Sequence, residues 1–239
     1  MSGQSKVCNT ADLLEPEYRA LYDEYCQLSA DGTLYWDSNN HNFRAWEYVH
    51  TFKNLNLKGN ERLYDIGSEN SIFPIWLKTK FPQLDITCVD TNFTGALEAR
   101  AKLHNVALTF HSKPFTTDLG LADYITCISV LEHVERDYEL VATMVSCLKP
   151  GGKVIITVDY DKEDVPWPFR QINVVGSGRM YGKNQIYNRI IRIAESCGAK
   201  FKFDVSDASF EFRKLGDVPG IAPLWVPYTA CCLIFEKPR

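Results

Sequence analysis

The turn that follows an apolar run at 62–66 is the part of the sequence best suited to hold a ligand. The run contains Asp65 and is followed directly by Gly67. Such a run indicates a buried strand, and a glycine tolerates the positive φ that a sharp strand-to-helix turn often needs. Because ligands of open α/β sheets bind beyond the carboxyl ends of the strands, the residues around Gly67 are predicted to line a binding site.

The residues after Gly67 indicate the charge of that ligand. A dinucleotide-binding turn needs three spaced glycines so that the backbone can approach a pyrophosphate, whereas Ser68, Glu69 and Ser71 follow the single glycine here. The carboxylate of Glu69 would repel a pyrophosphate. It is compatible with S-adenosylmethionine (SAM), which carries a sulfonium, an ammonium and a carboxylate but no phosphate. The alternative is an ordinary strand-to-helix turn without a ligand.

A second acidic residue closes the next apolar run, at 84–90. Asp90 lies 25 positions after Asp65. At the end of a neighbouring strand, a carboxylate can accept hydrogen bonds from the two vicinal hydroxyls of a ribose. The alternative is a solvated aspartate at a strand end.

These candidate residues need a sheet to bring them together, and the pattern from Arg62 onward predicts one. Apolar runs alternate with segments of helical periodicity, which indicates a parallel sheet with helices on both faces. The predicted strands are 62–66, 84–90, 106–110, 123–129, 153–158, 201–205 and 229–236, and the predicted helices end near 80, 104, 148 and 197.

Two segments before the sheet, 12–28 and 39–53, are predicted to be helices. The second contains aromatic residues together with Arg44 and Tyr48. It is interpreted either as a packing helix that covers the sheet or as a lid that touches cofactor and substrate.

Four segments, in this order, resemble those of class I SAM-dependent methyltransferases. They are Asp65-x-Gly67, the strand-end Asp90, Ser-Val-Leu-Glu-His-Val at 129–134 and Leu-Lys-Pro-Gly-Gly at 148–152. The resemblance covers about 60 to 205. The segment Arg-Ala-Trp-Glu-Tyr at 44–48 is also similar to the entry helix of a branch that modifies small molecules or sugars.

The resemblance implies an α/β fold with a seven-stranded, doubly wound sheet in the order 3-2-1-4-5-7-6, the last strand being antiparallel. It implies a Rossmann-like, SAM-binding catalytic domain at 56–239 that contains a substrate loop at 159–183. Residues 1–55 would form an N-terminal helical lid.

The resemblance also implies which residues bind SAM, with S-adenosylhomocysteine as product. Asp90 would accept hydrogen bonds from the ribose, and Ser112 or Lys113 would border the adenine. Carried over by position, the cofactor-binding residues are Arg44, Tyr48, Asp65, Gly67, Ser68, Glu69, Asp90, Thr91, Ser112, Lys113, Ser129 and Val130. Glu69 and Ser71 stand where the family has glycines, which leaves a non-catalytic binding protein as an alternative.

Methyl transfer from a sulfonium requires alignment and, for a hydroxyl acceptor, a base. His133 is the first candidate for that base because it follows the fourth strand and imidazole titrates near neutrality. Asp161 is the second candidate. The alternative is that His133 caps the following helix. No metal site is expected, because His133 is the last histidine and Ser129 stands three residues before Glu132.

Acceptor specificity is predicted to reside in the 159–183 loop, since loops beyond strand ends carry function. Asp159, Trp167 and Arg170 are the candidate substrate-binding residues there. Charged loop residues that are merely solvated are the alternative. The predicted acceptor is a small polar molecule methylated on oxygen, such as a sugar or other metabolite. A nitrogen acceptor and an inactive SAM- or nucleoside-binding regulatory or scaffold protein are the alternatives.

Composition limits the partners and the compartment. The net charge is −4 and the charges are interspersed, which argues against nucleic acid as a partner. Eight cysteines without a Cys-x-x-Cys pair indicate a reducing compartment. The absence of a long apolar run argues against a membrane protein. A cytoplasmic monomer or homodimer is expected.

Overall fold

An eight-stranded sheet forms the centre of the computed structural model, which describes residues 5–29, 42–69, 71–169, 178–205, 208–211 and 228–239. Its strands are β1 (Lys6–Val7), β2 (Arg62–Ile66), β3 (Asp85–Val89), β4 (Thr109–His111), β5 (Ala122–Ile128), β6 (Leu148–Tyr160), β9 (Lys200–Phe201) and β10 (Thr229–Glu236). Two further strands, β7 (Val165–Phe169) and β8 (Gly178–Met180), pair with each other outside this sheet.

The strands are ordered β4-β3-β2-β5-β6-β10, and both β1 and β9 pair with the outer edge of β10. Strands β2 to β6 are parallel, and β10 runs antiparallel to β6. The predicted α/β class is confirmed. The predicted count of seven strands is wrong, because Lys6 and Val7 pair with Cys232 and Cys231 and add an eighth strand. A strand of two residues has too short a pattern to be recognised in a sequence.

Within the described ranges, six helices surround the sheet: α1 (Pro16–Ser29), α2 (Asn42–Asn54), α3 (Phe73–Lys80), α4 (Ala96–Leu103), α5 (Asp137–Ser146) and α6. Helix α6 comprises the α-helical segments Lys183–Gln185 and Arg192–Ser196 and, between them, the π-helical segment Ile186–Ile191. Short 3₁₀ turns occur at Thr10–Leu14, Thr117–Leu119, Leu131–His133 and Ala208–Phe210. No helix of the described part of the chain is long and apolar enough to cross a membrane.

Alternating side chains of the strands divide the core into two apolar clusters, one on each face of the sheet. Leu63 and Ile155 belong to the cluster that includes residues of α1, α2, α3 and α4. Tyr64 and Ile156, the next residues along the same strands, belong to the cluster with residues of α5 and α6. The period of two in each strand therefore positions helices on both faces.

Helix α2 is fixed in the core by polar contacts as well as by apolar packing. The Trp46 indole N–H donates to Asp12 over 2.8 Å, and Trp46 stacks on His50 with ring centroids 4.5 Å apart. His50 in turn shares a 2.7 Å hydrogen bond with Tyr18 of α1. The helix packs against β5, β6 and β10. The division into a lid at 1–55 and a catalytic domain at 56–239 remains a prediction.

A buried carboxylate at the start of α5 connects that helix to the segments after β8. Asp137 is fully buried and accepts hydrogen bonds from the guanidinium of Arg189, with Nε at 2.9 Å from Oδ2, and from the Tyr181 hydroxyl at 2.7 Å. Arg179 Nη1 lies 3.3 Å from the same carboxylate. Two cations therefore compensate the cost of burying this charge.

Asp137→Ala is expected to lower the free energy of unfolding by about 3–5 kcal/mol, because it leaves buried cationic groups without their counter-charge. Glu139→Ala is the matched control: its carboxylate is half exposed and pairs with Arg136, so a change of at most about 0.5 kcal/mol is expected. Urea unfolding of both variants measures the difference. Equal losses would contradict a structural role for the Asp137 pairs.

Candidate functional site

The carboxyl ends of β2 and β5 meet at the turn that follows Ile66. Gly67 has a φ of +72°, and its N–H donates to the carbonyl of Val89 over 2.7 Å. A Cβ on Gly67 would lie 2.2 Å from Cγ2 of Val130, so this close approach requires glycine. The structure thus brings together Gly67 and Val130, which the sequence analysis assigned to the same binding site.

Asp65 lies below this turn, in the sheet. Only 2% of its surface is exposed, and its Oδ1 accepts a hydrogen bond from the Thr126 hydroxyl over 2.6 Å. Burial raises the pKa of Asp65 to about 7; the nearby Asp90 raises it too, while the Thr126 hydrogen bond opposes the rise. The role of Asp65 in binding the cofactor remains a prediction.

Asp90 follows β3 and is partly exposed at the edge where β2 and β3 end. Its Oδ2 accepts from the backbone N–H of Glu69 at 3.2 Å, and its Oδ1 from that of Asn92 at 2.9 Å. A carboxylate has about four acceptor sites, so these two bonds orient the group and leave capacity for a diol. This geometry is compatible with the role predicted for Asp90, which stays a prediction.

Glu69 has a role that the sequence analysis did not foresee. Its Oε1 accepts hydrogen bonds from the backbone N–H of Thr94 at 2.7 Å and of Ala96 at 3.1 Å, and from the Thr94 hydroxyl. The residue at the N-cap of α4, Gly95, has no side chain to supply these bonds. A carboxylate from another turn therefore caps α4, where it also complements the helix dipole. This capping role explains why an acidic residue stands at position 69 in place of a second glycine. The explanation does not require a charged ligand.

Glu47 of α2 connects that helix to the carboxyl ends of β5 and β6. This residue is fully buried. Its Oε1 accepts from the Ser129 and Thr157 hydroxyls, each at 2.6 Å, and its Oε2 accepts from Arg44 Nη1 at 2.7 Å. Ser129 is held with a φ of +48°, which is unfavourable for a residue with a side chain. The sequence analysis assigned no role to Glu47; a charged pair three residues apart in an aromatic helix was the available signal.

Two further carboxyl groups lie close to this Arg44–Glu47 pair. Asp159, near the end of β6, is 5% exposed, and Glu132, in the turn after β5, is 1% exposed. Burial, followed by the charges of Asp159 and Glu47, raises the pKa of Glu132 well above its ordinary value, while Arg44 opposes the rise. Arg44 thus interacts electrostatically with three carboxyl groups. We call Arg44, Glu47, Glu132 and Asp159 the buried charge cluster.

Tyr48 of α2 is buried beside the cluster. Its ring stacks on Tyr25 and on Phe73, at centroid distances of 5.2 and 5.7 Å. Burial raises the pKa of Tyr48 to about 12, so its hydroxyl stays protonated at neutral pH. This packing makes α2 part of the core and leaves contact of Tyr48 with a cofactor a prediction.

The other predicted site residues lie nearer to solvent or outside the described residues. His133 is exposed. The N-cap residue of α5 is Arg136, and its side chain makes no capping hydrogen bond. The alternative that His133 caps this helix is therefore wrong. Ser68 is buried, whereas Thr91, Ser112 and Lys113 are exposed, and Asp161 is partly exposed. Trp167 belongs to β7, whose side chains the structure does not describe, and Arg170 lies outside the described residues. Among the residues that are described, no group of three or more His, Cys, Asp or Glu side chains could hold a metal ion.

Asp65→Asn is expected to change how stability depends on pH. Because the folded state raises the pKa of Asp65 from 3.8 to about 7, its contribution to stability is present at low pH and is lost as the pH rises to and past that value. Asparagine does not titrate. The variant should therefore gain stability relative to the unsubstituted protein between about pH 4 and pH 7, by up to about 1.4 kcal/mol per pH unit.

Unfolding free energies from urea titrations across this range measure the effect. Asp85→Asn, in a half-exposed side chain at the start of the neighbouring strand β3, is the control. Parallel pH curves for Asp65→Asn and the unsubstituted protein would refute the raised pKa.

Comparison with solved structures shows the fold to be that of methyltransferases. The putative methyltransferase in a complex with the Haloferax volcanii Trm112 activator has a TM-score of 0.58 and 13% identity, over 88% of this chain and 96% of that one. Coclaurine N-methyltransferase bound to N-methylheliamine and SAH has a TM-score of 0.53 and 11% identity, over 61% of this chain and 48% of that one. This chain therefore spans about half the length of the latter.

A third structure, the [4+2]-cyclase SpnF, has a TM-score of 0.51 and 12% identity, over 76% of this chain and 77% of that one. At such identities the similarity concerns the fold alone. Comparison with curated protein sequences gives no significant match. A family model described as a methyltransferase domain matches residues 38–189, which is more than half of the chain. The match includes α2, the Gly67 turn, Asp90 and the buried charge cluster, and the chain belongs to the class I SAM-dependent methyltransferase family.

Proposed function

We propose that this protein transfers a methyl group from SAM to a heteroatom of a small polar molecule. The observation that carries the proposal is the convergence of Gly67, Asp90 and the buried charge cluster at the carboxyl ends of β2, β3, β5 and β6. Open α/β sheets bind their ligands at this edge. The family supplies the reaction type.

The residues at this edge fit the cofactor. Asp90 would hold the ribose, since it is partly exposed and its carboxylate retains free acceptor capacity beyond two backbone N–H groups. Gly67, Ser129 and Val130 would border the methionine part. When bound, SAM supplies an electrophilic methyl group and departs as a neutral thioether. The chain's own residues must orient the acceptor, exclude water and receive a proton.

A small acceptor is supported by the charge of the chain and by the buried position of the cluster. The net charge of −4 disfavours a nucleic-acid backbone. Asp159 is only 5% exposed, so it could contact a small molecule more readily than a macromolecular surface. The small molecule named with coclaurine N-methyltransferase, N-methylheliamine, is consistent with such a site in this fold. We retain Trp167 and Arg170 as candidate acceptor contacts.

Methylation of oxygen, the prediction from the sequence, requires a base. His133 is proposed for that role on the basis of its position after β5, and Asp161 is the alternative. The exposure of His133 is compatible with proton exchange with solvent. A catalytically inactive SAM-binding protein is the competing function, and the cyclase SpnF illustrates that this fold is not restricted to proteins named as methyltransferases.

Calorimetry with SAM and S-adenosylhomocysteine is expected to give dissociation constants in the micromolar range. Asp90→Ala should weaken binding by about 1–3 kcal/mol, because ribose hydroxyls would lose a charged acceptor. Asp85→Ala, with a half-exposed carboxylate at the opposite end of the same strand, should leave binding unchanged. Titrations without heat, together with unchanged melting temperatures, would contradict the proposed function.

His133→Ala is expected to lower turnover by about 10²–10⁴-fold if imidazole is the base, with cofactor affinity unchanged. The rate at subsaturating acceptor should then rise with pH through the titration of the imidazole, since only the neutral ring accepts a proton. His104→Ala, at the end of α4, is the control. Labelled SAM with a metabolite extract measures turnover, and an unchanged rate in His133→Ala would exclude the imidazole as base.

A further inference from the structure

Within the described residues, Asp65 is a buried carboxyl group without a cationic partner. Only 2% of the residue is exposed, and its side chain accepts one hydrogen bond, from the Thr126 hydroxyl to Oδ1 over 2.6 Å. The charged group that acts on it is Asp90, which has the same sign. Asp137, by contrast, is fully buried but lies between two arginines. Asp65 therefore lacks the compensation that a buried carboxylate requires.

The titratable groups that face Asp65 come from α2, β3 and β5. Tyr48 of α2, Cys88 of β3 and Cys127 of β5 all interact with it electrostatically. Burial raises the pKa of each of these three side chains, so they stay neutral near pH 7. Asp90, directly after β3, is the fourth group. A charge that compensates an ionised Asp65 must therefore come with a ligand.

Asp65 lies next to the edge at which the cofactor is proposed to bind. It precedes Gly67 by two positions at the end of β2. Its interaction with Asp90 brings its carboxyl group into the range of the residue that is proposed to hold the ribose. Its interaction with Tyr48 shows that α2 approaches the same carboxyl group. A charge on a ligand at this edge would therefore act on Asp65.

The cofactor and its product differ by one charge. SAM carries a sulfonium, an ammonium and a carboxylate, which leaves one net positive charge, whereas S-adenosylhomocysteine lacks the sulfonium and is neutral overall. In SAM, the sulfonium is joined to the ribose by a single CH₂ group. With the ribose on Asp90, the charge that distinguishes the two ligands belongs to the part of the cofactor nearest to this pair of carboxyl groups.

We propose that Asp65 releases its proton to solvent when SAM binds and keeps it when S-adenosylhomocysteine binds, so that this residue selects the cofactor over the product. The inference rests on the proposed SAM site and adds a specificity-determining residue to it. A nearby positive charge favours the ionised form of a carboxyl group, whereas a neutral ligand that covers the group favours the protonated form. The preference for SAM should therefore increase with pH.

The size of the effect follows from the titration of Asp65. Because its pKa is raised to about 7 in the folded protein, most molecules hold the proton at about pH 6 and half of them hold it at about pH 7. SAM should therefore bind about three- to fivefold more tightly at pH 7 than at pH 6, whereas the affinity for S-adenosylhomocysteine should stay nearly constant. The α-ammonium of both ligands remains mostly charged in this range, since an α-amino group has a pKa of about 7.7–8.0.

Calorimetry at about pH 6.5, in buffers that differ in ionisation enthalpy, counts the protons exchanged on binding. We expect release of about 0.5–0.7 proton per SAM and almost none per S-adenosylhomocysteine. Equal release with both ligands, or none with SAM, would overturn the inference and leave the proposed SAM site intact. Failure of both ligands to bind would overturn the inference and the proposed function together.

Asp65→Asn tests the residue itself, and Asp85→Asn, with a half-exposed side chain at the start of β3, is the matched control. Asparagine does not ionise, but it keeps an oxygen for the Thr126 hydroxyl. The variant should release no proton with SAM, and its ratio of Kd values for the two ligands should be the same at pH 6 and pH 7. The control should behave like the unsubstituted protein. Persistent release in Asp65→Asn would assign the titration to another group and refute the role of Asp65.

A measurement on the unsubstituted protein makes the test independent of how the variant folds. Carbon-13 NMR of the aspartate carboxyl groups, with sequential assignment, follows the titration of Asp65 directly. Bound SAM should move its midpoint to lower pH, and bound S-adenosylhomocysteine should not. An unchanged midpoint in the SAM complex would show that the sulfonium does not act on Asp65, and the inference would then be wrong.

Discussion

The hydrogen bonds of Glu47 determine how the helical N-terminal region meets the sheet. One carboxylate of α2 accepts from Ser129 after β5 and from Thr157 in β6, and pairs with Arg44 of its own helix. A charge buried at the ends of two strands requires all of these donors, since each missing partner would leave a desolvated carboxylate oxygen. Polar contacts, in addition to apolar packing, therefore determine the position of α2 above the carboxyl ends of β5 and β6.

A second carboxylate, that of Glu69, fixes the turns at the carboxyl ends of β2 and β3. Glu69 caps α4 through Thr94 and Ala96, and its own backbone N–H orients Asp90. The turn after β2, the end of β3 and the start of α4 consequently form one hydrogen-bonded unit. The acidic residue that follows the Gly67 turn thus serves to cap a helix, and Gly67 itself provides the close approach to Val130.

The buried carboxyl groups differ in what compensates them. Asp137 has two arginines and a tyrosine, and Glu47 has two hydroxyls and an arginine. Those two groups hold elements together. Among the described residues, neither carboxyl oxygen of Glu132 accepts such a side-chain hydrogen bond, and burial raises the pKa of this group instead.

Local patterns in the sequence were sufficient to predict the alternation of strands and helices, the glycine turn after Asp65 and the position of Asp90 at a strand end. These features depend on periodicity over a few residues and on backbone freedom at one position, both of which are visible without distances. The tertiary structure alone decided the contacts between remote segments: Glu47 meets residues 82 and 110 positions away, Glu69 caps a helix 25 to 27 positions away, and Lys6 and Val7 join the strand that ends the fold. The burial of Glu132 could not be predicted either, because whether a carboxyl group is buried depends on every element packed around it.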